Sequence, residues 1–155
     1  MKKIILILIA ITALSEGCKK YQEGPWLSLR SAEGRFYGYS TLVKYTVNGI
    51  DSLDSYHDSL GFSFRFIHNE DNDANICIMN GKRKDGGGTD FYWGWELTNH
   101  NKIFKVLGAD GSSYGIGIIK RKVTPEWEII KLKYNDIRMK TNYNGKEYYI
   151  ELKGN

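Results

Sequence analysis

The sequence predicts an all-β fold, a small antiparallel up-and-down barrel of eight or nine strands, with a β-sandwich as the alternative. Three features carry the expectation. Short runs alternate apolar and polar residues with period two, Asn-Gly and Asp-Gly pairs punctuate them, and no stretch beyond Phe36 sustains the 3.6-residue period of a helix. Composition agrees: 14% aromatic residues, with 11 Tyr and 4 Trp against 17 Gly and 2 Pro, suit twisted strands joined by tight turns. A chain of 155 residues is enough for one domain with a single core and too short for two ordinary ones.

The N-terminus follows a different rule. Met1-Lys2-Lys3 is a short positive segment, and Ile4 to Leu14 is an uncharged, almost wholly apolar run. As a helix those eleven residues rise about 16 Å, too little for a hydrocarbon core of roughly 30 Å. Residues 1–17 therefore read as a signal peptide. The run ends in Leu14-Ser15-Glu16-Gly17-Cys18, which resembles a bacterial lipobox, with Ser15 where a Leu is usual. There the Cys takes a diacylglycerol and becomes the new N-terminus. Cys18 is thus the expected lipidation site and the membrane an expected partner. By analogy with lipoprotein sorting in Gram-negative bacteria, Lys19 rather than Asp after the Cys favours the outer membrane, its periplasmic or outer face left open.

Residues 18–35 then read as the lipidated Cys, a polar tether from Lys19 to Pro25, and a short helical turn from Ser28 to Gly34. Ser28 or Ser31 is the expected cap and Gly34 the stop. The β domain is expected over 36–155. Phe36 to Val47 is rich in Tyr, Val and Thr. Phe62, Phe64 and Phe66 alternate with Ser63 and Arg65, and Ala74 to Met79 is nearly all apolar. Phe91, Trp93, Trp95 and Leu97 alternate again. Further runs cover Lys102 to Leu107, Tyr114 to Ile119, Trp127 to Tyr134, Ile137 to Tyr143 and Lys146 to Leu152, with a slip of parity at Ile129 and Ile130 that predicts a β-bulge. Turns are expected at Asn48-Gly49, Asn80-Gly81, Asp85-Gly86, Asp110-Gly111 and Asn144-Gly145.

Several of these pieces are similar to lipocalin-like lipoproteins of Bacteroidota. Cys18-Lys19-Lys20-Tyr21, Glu23-Gly24-Pro25 and Ser28-Leu29-Arg30-Ser31 resemble their mature start. Arg35 with Lys44-Tyr45-Thr46-Val47-Asn48-Gly49 resembles their first strand and turn. Gly94-Trp95-Glu96-Leu97 before Lys102-Ile103 looks like their middle hairpin. Trp127-Glu128-Ile129 with Leu132, Ile137-Arg138-Met139, and Gly145 with Leu152 are similar to their closing strands. The resemblance implies a lipocalin-type barrel on an acyl anchor. It has one departure: a Trp five residues beyond the Arg packs the family's barrel floor, and that position is Ser40, with Phe36, Tyr37 or Tyr39 as the available replacements.

Charge and motifs narrow the function classes. Removing residues 1–17 takes away Lys2, Lys3 and Glu16, leaving 20 basic against 17 acidic residues, or +3. The basic runs Lys82-Arg83-Lys84 and Lys120-Arg121-Lys122 come with no groove-reading motif, so no nucleic-acid partner is expected. Gly111-Ser112-Ser113-Tyr114-Gly115 matches the G-x-S-x-G pattern, but Ile116 to Lys122 reads as strand where a nucleophile elbow needs a helix. Asp71-Asn72-Asp73-Ala74-Asn75 opens like a calcium loop yet has Ile76 and Lys82 where Gly and Glu belong. His57, His68 and His100 are dispersed, and Cys77 in Ile76-Cys77-Ile78-Met79 reads as a small core residue. The chain is therefore not expected to be an enzyme, and no metal or cofactor is expected.

What remains is the barrel interior. Phe62, Phe64, Phe66, Trp93 and Trp95 either line a pocket for a small apolar ligand or fill the interior. Gly94, Gly115 and Gly117 mark places where backbone or ligand comes close. The ligand reading predicts an enclosed cavity of about 300 Å³ or more. The alternative, a packed barrel that binds another envelope protein, predicts an exposed apolar patch.

Overall fold

Alternating sequence needs a partner strand on each edge, and the chain supplies one for every long strand by closing on itself. The computed structural model describes residues 21–23, 29–53, 62–82, 88–109 and 126–154. Among these, a helix α1 (Ala32–Phe36) precedes nine strands: β1 (Gly38–Val47), β2 (Ile50–Asp51), β3 (Phe62–Asn69), β4 (Ala74–Lys82), β5 (Gly88–Thr98), β6 (Ile103–Ala109), β7 (Glu126–Lys133), β8 (Asp136–Tyr143) and β9 (Lys146–Gly154). Neighbours pair antiparallel in chain order from β3 to β9, and β1 pairs with both β3 and β9, so eight strands form a closed barrel. The two-residue β2 is extra. It folds back at Asn48-Gly49 onto Thr46 and Val47, beyond the Gly38–Thr41 stretch of β1 that β3 occupies. Closure decides for the barrel over the sandwich and removes the open edges that invite aggregation.

Turn chemistry explains most of the register. Asn48-Gly49 and Asn144-Gly145 both hold positive φ on both residues, the conformation a two-residue hairpin needs. Asn80-Gly81 differs from expectation: it lies inside β4, paired with Asp90 and Thr89 of β5, so the β4–β5 connection comes later in the chain. An Asn-Gly pair permits a turn but does not compel one when both edges find partners. Asp85-Gly86, Asp110-Gly111, the Gly86-Gly87 part of the glycine run and the Tyr114 to Ile119 run lie outside the described residues, as do Gly115 and Gly117. The predicted bulge is present, with the β7–β8 register shifting between Ile129 and Lys131.

The helix is shifted from the predicted turn. Ser31 is its cap, its Oγ accepting from the Gly34 amide at 2.9 Å, but the helix runs on through Gly34 to Phe36. Burial explains why Gly34 does not stop it: Phe36 is buried in the barrel and carries the helix with it. The strand consequently starts at Gly38 rather than at Phe36. Tyr21 is also buried, its hydroxyl donating to the Asn101 carbonyl at 2.9 Å, and the Glu23 amide donates to the Ile130 carbonyl at 3.0 Å. The segment expected as a tether is thus fastened to the barrel at Tyr21 and Glu23.

Candidate functional site

Alternation sends one side chain in two from each strand into the barrel. Phe64 and Phe66 of β3, Cys77 and Met79 of β4, Trp93 and Trp95 of β5 and Phe104 and Val106 of β6 all face inward and are buried. Trp127, Ile129 and Leu132 come from β7, Ile137 and Met139 from β8, and Ile150 and Leu152 from β9. Four of the five predicted lining rings therefore meet in one core. Phe62 opens β3, and its ring lies outside the described side chains. Phe36, Phe104 and Trp127 join that core without a place in the predicted lining. Phe104 and Trp127 are recoverable from parity, since each is an inward position of its run. Phe36 is not, because a short helix carries it.

The rings pack rather than enclose. At the end closed by α1, Phe36 lies 5.1 Å from Trp95, 5.3 Å from Phe104 and 5.4 Å from Phe66, centroid to centroid, and Trp95 stacks on Phe104 at 5.6 Å. Such separations are those of favourable ring pairs, each worth about 0.5–1.5 kcal/mol beyond area burial. Phe36 thus takes the floor that Ser40 leaves without a Trp, while Tyr39 points outward. The void among Phe64, Cys77, Trp93, Phe104, Trp127 and Met139 has a volume of about 10 Å³, the space of one water. Among the described residues the interior is filled.

Its chemistry is that of a dry core with three exceptions. The Nε1 donors of Trp93, Trp95 and Trp127 are buried and have no hydrogen-bond partner among the described residues. Trp93 and Trp127 border the small void. Cys77 is fully buried there, and burial pushes its thiol well above the ordinary value, which keeps it protonated and a poor nucleophile.

Outside the barrel, the calcium-like segment is a polar turn tied to its own side chains. The Asp71 amide donates to Asn69 Oδ1, and Asn75 Oδ1 accepts from Tyr37 Oη at 2.8 Å with His68 Nδ1 at 3.2 Å. Among the described residues no group of three metal-ligating side chains gathers. His57, Ser113, Cys18, the signal peptide 1–17 and the basic runs at 83–84 and 120–122 lie outside the described residues.

The outer surface carries a feature that only pairing reveals. Tyr39 of β1 pairs with Arg65 of β3, Arg65 with Ile78 of β4, and Ile78 with Tyr92 of β5. The next row is Ile67, Ile76, Gly94 and Leu107. Tyr39 is 54% exposed, Tyr92 51% and Leu107 40%. Gly94 allows a close approach here, since a Cβ there would meet Leu107 Cβ and its carbonyl at 3.2 Å. The two rows make a mostly apolar strip across β1 to β6, with the Arg65 guanidinium over the Tyr39 ring at 5.3 Å. A separate cleft of about 310 Å³ lies at the α1 end, bordered by Arg35, Ser40 and Tyr134.

No family model matches the sequence, and no curated protein matches it. Among solved structures, a lipocalin-like protein from Bacteroides uniformis aligns with a TM-score of 0.52 at 17% identity, over 79% of this chain and 100% of that one. A protein from Bacteroides eggerthii gives 0.48 at 12% identity over 75% and 98%, and lobster apocrustacyanin A1 gives 0.46 at 9% over 77% and 60%. At such identity the first likeness speaks to fold alone, and the other two carry no weight. Together with the closed pairing of eight strands, it establishes that this chain folds as a lipocalin-like β-barrel.

Proposed function

We propose that this chain is an envelope lipoprotein, held to the outer membrane through an acylated Cys18, whose packed barrel is a scaffold for binding another envelope protein. The observation that carries the reading is the contrast between a filled interior and an uncovered outer strip. The void of about 10 Å³ has no room for a ligand of ordinary size, whereas Tyr39, Ile78, Tyr92 and Leu107 offer aromatic and aliphatic contact area around one arginine. Tyr and Arg are the residue types that most often dominate protein interfaces. The test is photocrosslinking in the native envelope from position 92 and, as control, from position 140 on the opposite face. A defined adduct at 92 and none at 140 is expected; equal labelling from both sites defeats the reading.

A second reading, a small apolar ligand inside the barrel, is favoured by the indole donors. Three buried N–H groups without acceptors are costly in a core, and a ligand carrying a carbonyl or hydroxyl oxygen would satisfy those of Trp93 and Trp127. It requires the rings around the void to move apart. Native mass spectrometry of the domain purified from its host separates the two: a bound small molecule that is lost in Trp127→Phe supports this reading, and an unliganded mass supports the first.

A further inference from the structure

We infer that the α1 end of the barrel is a membrane-docking surface, seated on the headgroups of a bilayer, with the opposite mouth directed away from it. The inference rests on the proposed acylation of Cys18 and adds to it an orientation and a contact face. Its first support is chain length. Tyr21 is buried and hydrogen-bonded to Asn101 in the β5–β6 turn, and Glu23 is tied to Ile130 of β7 and, through its carboxylate, to Arg138 of β8. Only three residue steps separate Tyr21 from Cys18. Whatever their conformation, three steps span at most about 11 Å. An acyl chain leaving Cys18 therefore holds the Tyr21 backbone, and with it the Asn101 end of the barrel, close to the lipid surface, and the two intervening residues are Lys19 and Lys20.

The second support is what that end exposes. Leu29 is wholly exposed and Tyr134, in the β7–β8 turn, is 46% exposed, with the Arg30 guanidinium stacked over the Tyr134 ring at 4.1 Å. An aliphatic residue, a tyrosine and an arginine together form the mix that partitions to the interface between headgroups and acyl chains. Lys102 and Lys133, both exposed, lie in or beside the turns of the same end. Of the acidic side chains of this end, the exposed Glu70, Asp71 and Asp73 stand on the β3–β4 turn, whereas Glu33 of α1 is half-buried and Asp136, beside the β7–β8 turn, is neutralised by Lys131 and Lys153. That turn and the β7–β8 turn lie four strands apart in a ring of eight, on opposite sides. The barrel therefore leans on its Leu29–Tyr134 side, two strands round the ring from the Tyr21 attachment, and lifts the exposed acidic turn away from anionic lipid.

The experiment uses the full acylated chain in vesicles of phosphatidylethanolamine and phosphatidylglycerol containing spin-labelled lipid. Lys133→Cys and Lys146→Cys each take a fluorophore, Cys77 being fully buried. The two sites are on the order of 20 Å apart along the barrel axis, so the probe at 133 is expected to be quenched roughly threefold more than the probe at 146. Equal quenching, or stronger quenching at 146, overturns the docking. Intact mass of the same samples is read in parallel. A chain lacking the diacylglyceryl mass on Cys18 overturns the anchor and the docking with it, whereas an acylated chain with equal quenching overturns the docking alone. Matching circular dichroism of both labelled variants keeps misfolding from imitating either result.

Discussion

The β7–β9 face and the β3–β5 face of this barrel are built from the same alternating strands and present opposite chemistry outward. On β7–β9, the Asp136 carboxylate takes Lys131 at 2.6 Å, Lys153 at 2.9 Å and Arg138 at 3.3 Å, and Arg138 and Lys153 reach on to Glu151. Lys140 with Glu128 extends the lattice at 3.4 Å. On β3–β5 the corresponding positions are Ile67, Ile76, Ile78 and Tyr92, with Arg65 between them. One face satisfies its polar groups within the molecule. The other leaves apolar area that nothing among the described residues covers. Cross-strand neighbours make the difference: Asp136 stands opposite Lys133 and Lys153, and Arg138 opposite Glu151, on the first face, whereas Ile67 stands opposite Ile76 and Ile78 opposite Tyr92 on the second.

The comparison can be broken first from underneath. Phe36→Ala removes the ring on which Phe66, Trp95 and Phe104 pack and should cost about 3–5 kcal/mol in urea unfolding, the range for a large aromatic in a core. A loss below about 1 kcal/mol, that of an ordinary surface change, would mean that the closed end is not a packed base.

Next comes the lattice. Burial alone would raise the Asp136 carboxyl, but the hydrogen bonds from Lys131 and Lys153 outweigh it and hold it below its ordinary value. Asp136→Asn should therefore destabilise by about 1–3 kcal/mol at neutral pH, since it takes the carboxylate from Lys131 and leaves Arg138 and Lys153 to share Glu151. The sign with pH is set by the lowered value. The Asp136 contribution is fully present above the unfolded carboxyl value of 3.8 and is lost as pH falls through the lower folded one. Urea midpoints compared across that acid window should converge for wild type and Asp136→Asn; a constant gap would assign the loss to packing.

The apolar face predicts the reverse pattern. Tyr92→Ser should change stability by no more than about 0.5 kcal/mol, as for other surface changes, while weakening capture of the proposed partner. A large stability loss with partner capture intact would make the strip a structural element. The smallest effect belongs to Lys105→Ala, whose pair with Glu96 spans 3.5 Å between half-exposed groups; about 0.3 kcal/mol is expected, vanishing in high salt.

Parity made much of the interior legible. Phe64, Phe66, Trp93 and Trp95 were readable as one facing set because a strand has period two, and the Ile129–Ile130 slip announced its own bulge. Phe36 escaped because it rides a five-residue helix with too few turns to show a period. Asn80-Gly81 misled because a turn-competent pair reports what the backbone allows rather than what its neighbours impose. The outer strip from Tyr39 to Leu107 has no linear signature, its members coming from separate strands.

The sequence by itself determined that this chain would form short strands with one apolar face each, because side-chain direction alternates along any extended backbone. Only the tertiary structure decided that eight of those strands close into a ring, that Phe36 plugs its floor, and that Tyr21 is fastened beside the β5–β6 turn. Those outcomes depend on which distant edges meet and how much volume they leave, and such quantities are shared among strands rather than carried by any one of them.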